Sequence, residues 1–118
     1  MEIKLSEGEL KLMDLLWESE PVSAKALSLT ANQRYGWNKN TTYTVIKKLV
    51  DKCVIQRTEP NFICTALVDR EKIRKAETQS LIKKLYNGSK SALFSSLLED
   101  DDLSEDELDV LRKMIEKR

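Results

Sequence analysis

The stretch Val54-Ile55-Gln56-Arg57-Thr58, Glu59-Pro60-Asn61, Phe62-Ile63-Cys64-Thr65-Ala66-Leu67 breaks the period of everything before it. Two short runs rich in β-branched residues flank a Pro-Asn turn, which predicts a two-stranded hairpin with a tight tip. Upstream, the apolar spacing is helical three times over. Ser6-Glu7-Gly8-Glu9 reads as a capping box, followed by the stripe Leu10, Met13, Leu16, Trp17 and closed at Glu20-Pro21. Ser23 reads as the cap of a second helix through Ala24, Leu27 and Ala31, broken at Tyr35-Gly36-Trp37-Asn38. A third helix is expected from near Asn40 to about Lys52, with Thr42 (by its methyl), Val45, Ile46 and Leu49 inward. Helix, helix, helix, hairpin over residues 1–67 is the order of a winged helix-turn-helix. In that arrangement the third helix enters the DNA major groove and the hairpin is the wing.

Downstream the pattern is helical again. Asp69 is the expected start of a longer helix carrying Ile73, Ala76, Ile82, Leu85 and Tyr86, stopped by Asn87-Gly88. A short helix with Leu93, Phe94, Leu97 and Leu98 follows, and Ser104-Glu105-Asp106-Glu107 is a second capping box before Leu108, Leu111 and Ile115. Residues 68–118 are too few to bury these stripes alone, so they are expected to bury them against a second copy. The reading is a mainly α chain with a small β-hairpin. Its winged-helix domain spans 1–67 and its helical dimerisation region 68–118, with Ile73, Ile82, Leu85, Leu97, Leu108, Leu111 and Ile115 as dimerisation residues.

The 118 residues exclude large barrels and two-halved nucleotide-binding folds. His is absent, which removes the commonest general base and metal ligand together, so neither an enzyme nor a cofactor is expected. No apolar run suits a signal peptide or a membrane span, which implies a cytoplasmic chain. Cys53 and Cys64 form no CxxC pair; one bridge is open to them, and a reduced pair suits that compartment.

Lys plus Arg and Asp plus Glu both total 20, a formal net charge of zero, but the charges are segregated. Arg34, Lys39, Lys47, Lys48, Lys52 and Arg57 face only Asp51 within residues 34–57, on and around the expected reading helix. Lys39, Lys47, Lys48 and Arg57 are the expected phosphate contacts. Residues 99–109 are acidic throughout their charged positions, with no base. That run reads as a solvated loop plus negative charge at a helix N-terminus, and it lacks the ligand pattern of an EF-hand.

Trp37-Asn38-Lys39-Asn40-Thr41-Thr42-Tyr43-Thr44-Val45-Ile46-Lys47-Lys48-Leu49 resembles the recognition segment of the penicillinase repressor family, the BlaI/MecI type. Thr41, Thr44 and Leu49 match its pattern, while Asn38 stands for Ser and Lys48 for Arg. The early Trp17 and the helical C-terminal third are also similar to it. The resemblance implies a homodimeric transcriptional repressor bound to an inverted-repeat operator ahead of β-lactamase-type antibiotic-resistance genes. It implies base reading by Asn40, Thr41, Tyr43 and Thr44, with Lys48 on a phosphate. Periodicity independently groups positions 40, 43, 44, 47 and 48 opposite Val45 and Leu49. The resemblance further implies release by a sensor protease pathway, with the cut at Ser95-Ser96, where the family has Asn-Phe; a bound ligand and oxidation of Cys53 are the two other routes open to the chain. Cys53 stands where the family commonly has Gly, and the hairpin tip carries no basic residue. The competing reading is a winged-helix protein–protein interaction module without specific DNA binding, its lysine face meeting an acidic partner.

Overall fold

A computed structural model describes residues 3–99 and 103–117; Asp100, Asp101 and Asp102 of the acidic run lie outside the described residues. The chain divides into two compact units, Met1–Arg74 and Lys75–Arg118. The first holds α1 (Glu7–Ser19), β1 (Val22–Ser23), α2 (Ala24–Tyr35), α3 (Lys39–Asp51), β2 (Ile55–Thr58) and β3 (Ile63–Ala66). α4 (Arg70–Tyr86) begins in it and continues into the second unit, which adds α5 (Lys90–Leu98) and α6 (Glu105–Glu116).

Local chemistry starts each of the first three helices. Ser6 Oγ accepts from the Glu9 N–H while the Glu9 carboxylate takes the Ser6 N–H, closing the expected capping box. Ser23 Oγ accepts from Ala26 N–H at the head of α2, and Gly36, at φ 70°, ends that helix in the left-handed region. Beneath these helices Leu12, Met13, Leu16, Leu27, Ile46 and Leu49 are fully or almost fully buried and form one core with Val54, Ile55 and Cys64. Ile73, from the first turn of α4, completes it. Trp17 leans on the same core and donates its indole N–H to the Val68 carbonyl at 3.1 Å.

The expected hairpin is present, but the sheet has three strands in the order β1-β3-β2, all antiparallel. β1 is only two residues long, with Val22 opposite Cys64 and Ser23 opposite Ile63. Ser23 thus closes a strand and caps a helix in one position, and the Ala24 N–H just beyond it donates to the Phe62 carbonyl. The sheet thereby ties the hairpin to the start of α2. Cys53 and Cys64 are both free. Burial pushes the Cys64 thiol up to about 11, against the opposing pull of Arg57, so it stays a neutral core group at neutral pH.

Among the described residues of the first unit, one charged side chain is buried. Glu9 is 4% exposed, and its Oε1 accepts from Lys52 Nζ at 2.8 Å, joining the start of α1 to the end of α3. Burial alone would raise this carboxyl. The hydrogen bond from Lys52, with those from Ser6, outweighs it and holds the pKa below the ordinary 4.5. A lowered folded-state pKa adds stability above the unfolded value, and that stability is lost as pH falls through the folded value. Wild-type stability to urea is therefore expected to decline below about pH 5, with Glu9→Gln flattening the decline and costing about 1 kcal/mol at neutral pH, since Lys52 is partly exposed. Identical pH profiles for the two proteins would refute this role.

In the second unit Ile82 is buried, while Leu81, Leu85, Phe94, Leu97, Leu98, Val110, Met114 and Ile115 are exposed. α5 starts at Ser89, whose Oγ accepts from Ala92 N–H. α6 starts at Ser104, whose Oγ accepts from Glu107 N–H, with three acids in its first turn favoured by the helix dipole. Among the described residues no helix is long and apolar enough to cross a membrane, and no group of acidic or sulfur ligands could hold a metal ion.

Candidate nucleic-acid interface

α2 and α3 flank the short Gly36–Asn38 turn, and α3 lays a polar face outward. Its N-terminus is set by Asn38, whose Oδ1 accepts from Thr41 N–H at 2.7 Å. Asn38 also accepts the buried Thr42 hydroxyl through its backbone carbonyl at 3.1 Å, leaving no unpaired group on that inner threonine. The helix therefore begins one residue before the expected Asn40, because a capping side chain stands ahead of it. Thr42, Ile46 and Leu49 face the core, and Val45 is half-buried.

Asn40, Thr41, Thr44, Lys47 and Lys48 are all exposed on the opposite face. The Thr44 hydroxyl donates back to the Asn40 carbonyl at 2.8 Å, so its proton is committed to the helix. What Thr44 offers outward is a methyl group and an oxygen lone pair. Tyr43 sits at the margin of this face, half-buried, with its ring edge-on to Phe62 of the hairpin tip at 6.1 Å between centroids. Lys39 Nζ lies 5.8 Å from the Tyr43 centroid.

The cations around α3 are not equivalent. Arg34 pairs with Glu18 at 3.1 Å, Lys52 with Glu9 at 2.8 Å, and Arg57 with Glu59 at 2.6 Å. No carboxylate of the described residues pairs with Lys39, Lys47 or Lys48. The positive patch of residues 34–57 is thus narrower than its composition, and its uncompensated charge lies on α3 itself. Arg57 lies in β2 and Glu59 in the turn beyond it, so the pairing depends on the turn and not on the period of the strand. The Tyr43–Phe62 contact had no local signal, because it joins separate elements.

Of the expected dimerisation residues, Leu85, Leu97 and Ile115 are exposed, and Leu108 and Leu111 are half-buried. Ile73 is 6% exposed in the core of the first unit, and Ile82 is as deeply buried. Val110 and Met114 widen the apolar face of α6 beyond the expected stripe. Ser95 and Ser96 lie exposed within α5. Cys53 directly follows the α3 cap at φ 62°, the left-handed conformation that glycine adopts without strain.

The sequence matches the penicillinase repressor family over residues 5–117. The methicillin resistance regulatory protein MecI of Staphylococcus aureus strain N315 is 28% identical over 117 residues, covering 98% of this chain and 95% of that one. The penicillinase repressor of Bacillus licheniformis is 22% identical over 116 residues, covering 97% and 91%. Among solved structures, the DNA-binding domain of the repressor BlaI is similar with a TM-score of 0.54 at 19% identity, over 57% of this chain and 84% of that chain. That likeness bears on the winged-helix fold.

Proposed function

The chain belongs to the penicillinase repressor family, and from that premise we propose that it is a transcriptional repressor that binds an inverted-repeat DNA operator as a homodimer, ahead of resistance genes of the β-lactamase type. The observation that carries this reading is the outer face of α3. Asn40, Thr41 and Thr44 stand there beside Lys47 and Lys48, which no described carboxylate neutralises. Small polar side chains at the N-terminal half of a helix reach base edges in the major groove, and flanking lysines meet phosphates. Asn40 suits an adenine edge, and the methyl and lone pair of Thr44 suit a thymine methyl or a cytosine amino group. Tyr43 reads from the margin, next to the hairpin.

In this reading the winged-helix domain is 1–67, and the helical region 68–118 joins two copies through Leu85, Leu97, Leu108, Leu111 and Ile115, together with Val110 and Met114. A sensor protease pathway would release the repressor by cutting at the exposed Ser95-Ser96 bond, for which α5 must open locally.

Selection of bound duplexes from random DNA tests the reading, with a two-fold symmetric consensus as the expected result. An unenriched pool would overturn it in favour of a protein-interaction module. On the selected site, Thr44→Ala is expected to cost about 1–3 kcal/mol and relax preference at one base pair per half-site. Lys48→Ala should weaken binding to every sequence alike and reduce the salt slope by about 0.9 per half-site. If the two variants behaved alike across a panel of sites, the division into base and phosphate contacts would be wrong.

A further inference from the structure

The hairpin tip pairs its own cation. Arg57 on β2 donates from Nε to Glu59 Oε1 at 2.6 Å, and its guanidinium lies 3.7 Å from the centroid of the Phe62 ring. The second oxygen of Glu59 accepts from the Phe62 N–H at 3.3 Å. One carboxylate thus fixes both the arginine and the aromatic ring on which it stacks. Asn61 and Phe62 lie at φ 74° and 50°, and such a conformation in a bulky residue persists only where its surroundings hold it. Here the holders are Glu59, Arg57, the Ala24 N–H on the Phe62 carbonyl, and the Tyr43 ring. The Arg57 guanidinium, with the Phe62 N–H, holds the Glu59 carboxyl below its ordinary value, so Glu59 is ionised at neutral pH.

We propose that Glu59 is an affinity-limiting residue of the DNA-binding surface. By holding Arg57 against Phe62, it withholds from the phosphate backbone a cation that the hairpin would otherwise deliver. The proposal rests on the DNA-binding reading above. Its physical content is a competition: the guanidinium can satisfy its Nε–H on Glu59 or on a phosphate oxygen, and the carboxylate is already in place. Phosphate contacts add affinity for all sequences alike, so withholding one lowers binding to every duplex by a similar factor and leaves discrimination with Asn40, Thr41 and Thr44.

The test is a double-mutant cycle of Glu59→Gln and Arg57→Gln in the full chain. Each protein is titrated with a random-sequence duplex and with the selected duplex over a range of salt concentrations. Gln at position 59 keeps an acceptor for the Phe62 N–H while removing the charge. With Arg57 present, Glu59→Gln is expected to tighten binding to the random duplex about three- to tenfold at low salt. It should also steepen the salt slope by about 0.9 for each hairpin engaged. With Gln at 57, the gain should largely vanish. An equal gain in both backgrounds would mean simple repulsion by Glu59 and would overturn the proposal, as would no gain. A wild-type chain that bound neither duplex would bring down the DNA-binding reading itself, which distinguishes the two failures.

Discussion

A chain carrying Leu111→Asp and Ile115→Asp is expected to sediment as a monomer and to bind the selected inverted repeat about 10²–10⁴-fold more weakly than the wild type. Two linked reading helices bind two half-sites with the second contact made intramolecular, and that advantage disappears when the copies separate. The choice of residues follows from α6. Ile115 is 66% exposed, Leu111 is half-buried, and Val110 and Met114 beside them are open as well. An apolar face this wide on a twelve-residue helix has no cover among its own exposed neighbours. Carboxylates placed there stay solvated in a monomer and would be stripped of water in a dimer. Sedimentation and DNA titration on full and half sites measure the two effects separately. The variant should bind a single half-site as the wild type does, because neither residue belongs to the first unit. A dimeric variant, or one with unchanged affinity for the inverted repeat, would refute the assignment of α6 to the interface.

The second large effect is on stability. Ile46→Ala should cost about 2–5 kcal/mol, the usual range for a buried aliphatic side chain whose removal leaves a cavity. Ile46 is fully buried on the inner face of α3, in one core with Leu12, Met13, Leu16 and Leu27. Single domains are stable by about 5–15 kcal/mol in total, so a loss of this size consumes a large share and loosens the helix that carries Asn40, Thr41 and Thr44. Leu29→Ala is the comparison. Leu29 is 60% exposed on α2, and its truncation should change stability by less than about 0.5 kcal/mol. Urea titration should show a lower midpoint for Ile46→Ala at an unchanged slope. A cost below about 1 kcal/mol would mean that α3 is not anchored by this residue.

Much of the fold was readable from local pattern. The capping box at Ser6 and Glu9, the cap at Ser23 and the left-handed stop at Gly36 depend on neighbours a few positions apart. The hairpin at 55–66 announced itself through its change of period. β1 did not, because two residues carry no periodicity and Val22–Ser23 is a strand only by pairing with β3. Nor was the strain at Cys53 local in origin: the chain leaves α3 there at φ 62°, where a side chain costs about 1–2 kcal/mol.

The candidate site divides along the same line. Helical spacing put positions 40, 43, 44, 47 and 48 on one face, because a helix turns at a constant angle, and the family resemblance added Thr41; all are exposed except Tyr43, which is half-buried. Only the tertiary structure decided which charges on and around that helix are uncompensated and which apolar residues remain uncovered. Arg34 and Lys52 are joined to carboxylates on α1, and Tyr43 to an aromatic ring on the hairpin. Ile73, on the same helix as Ile82 and Leu85, is packed into the core of the first unit, whereas Leu85 is open. Ion pairing and burial are relations between segments distant in sequence. A period shows which side a residue faces, and folding determines what it meets there.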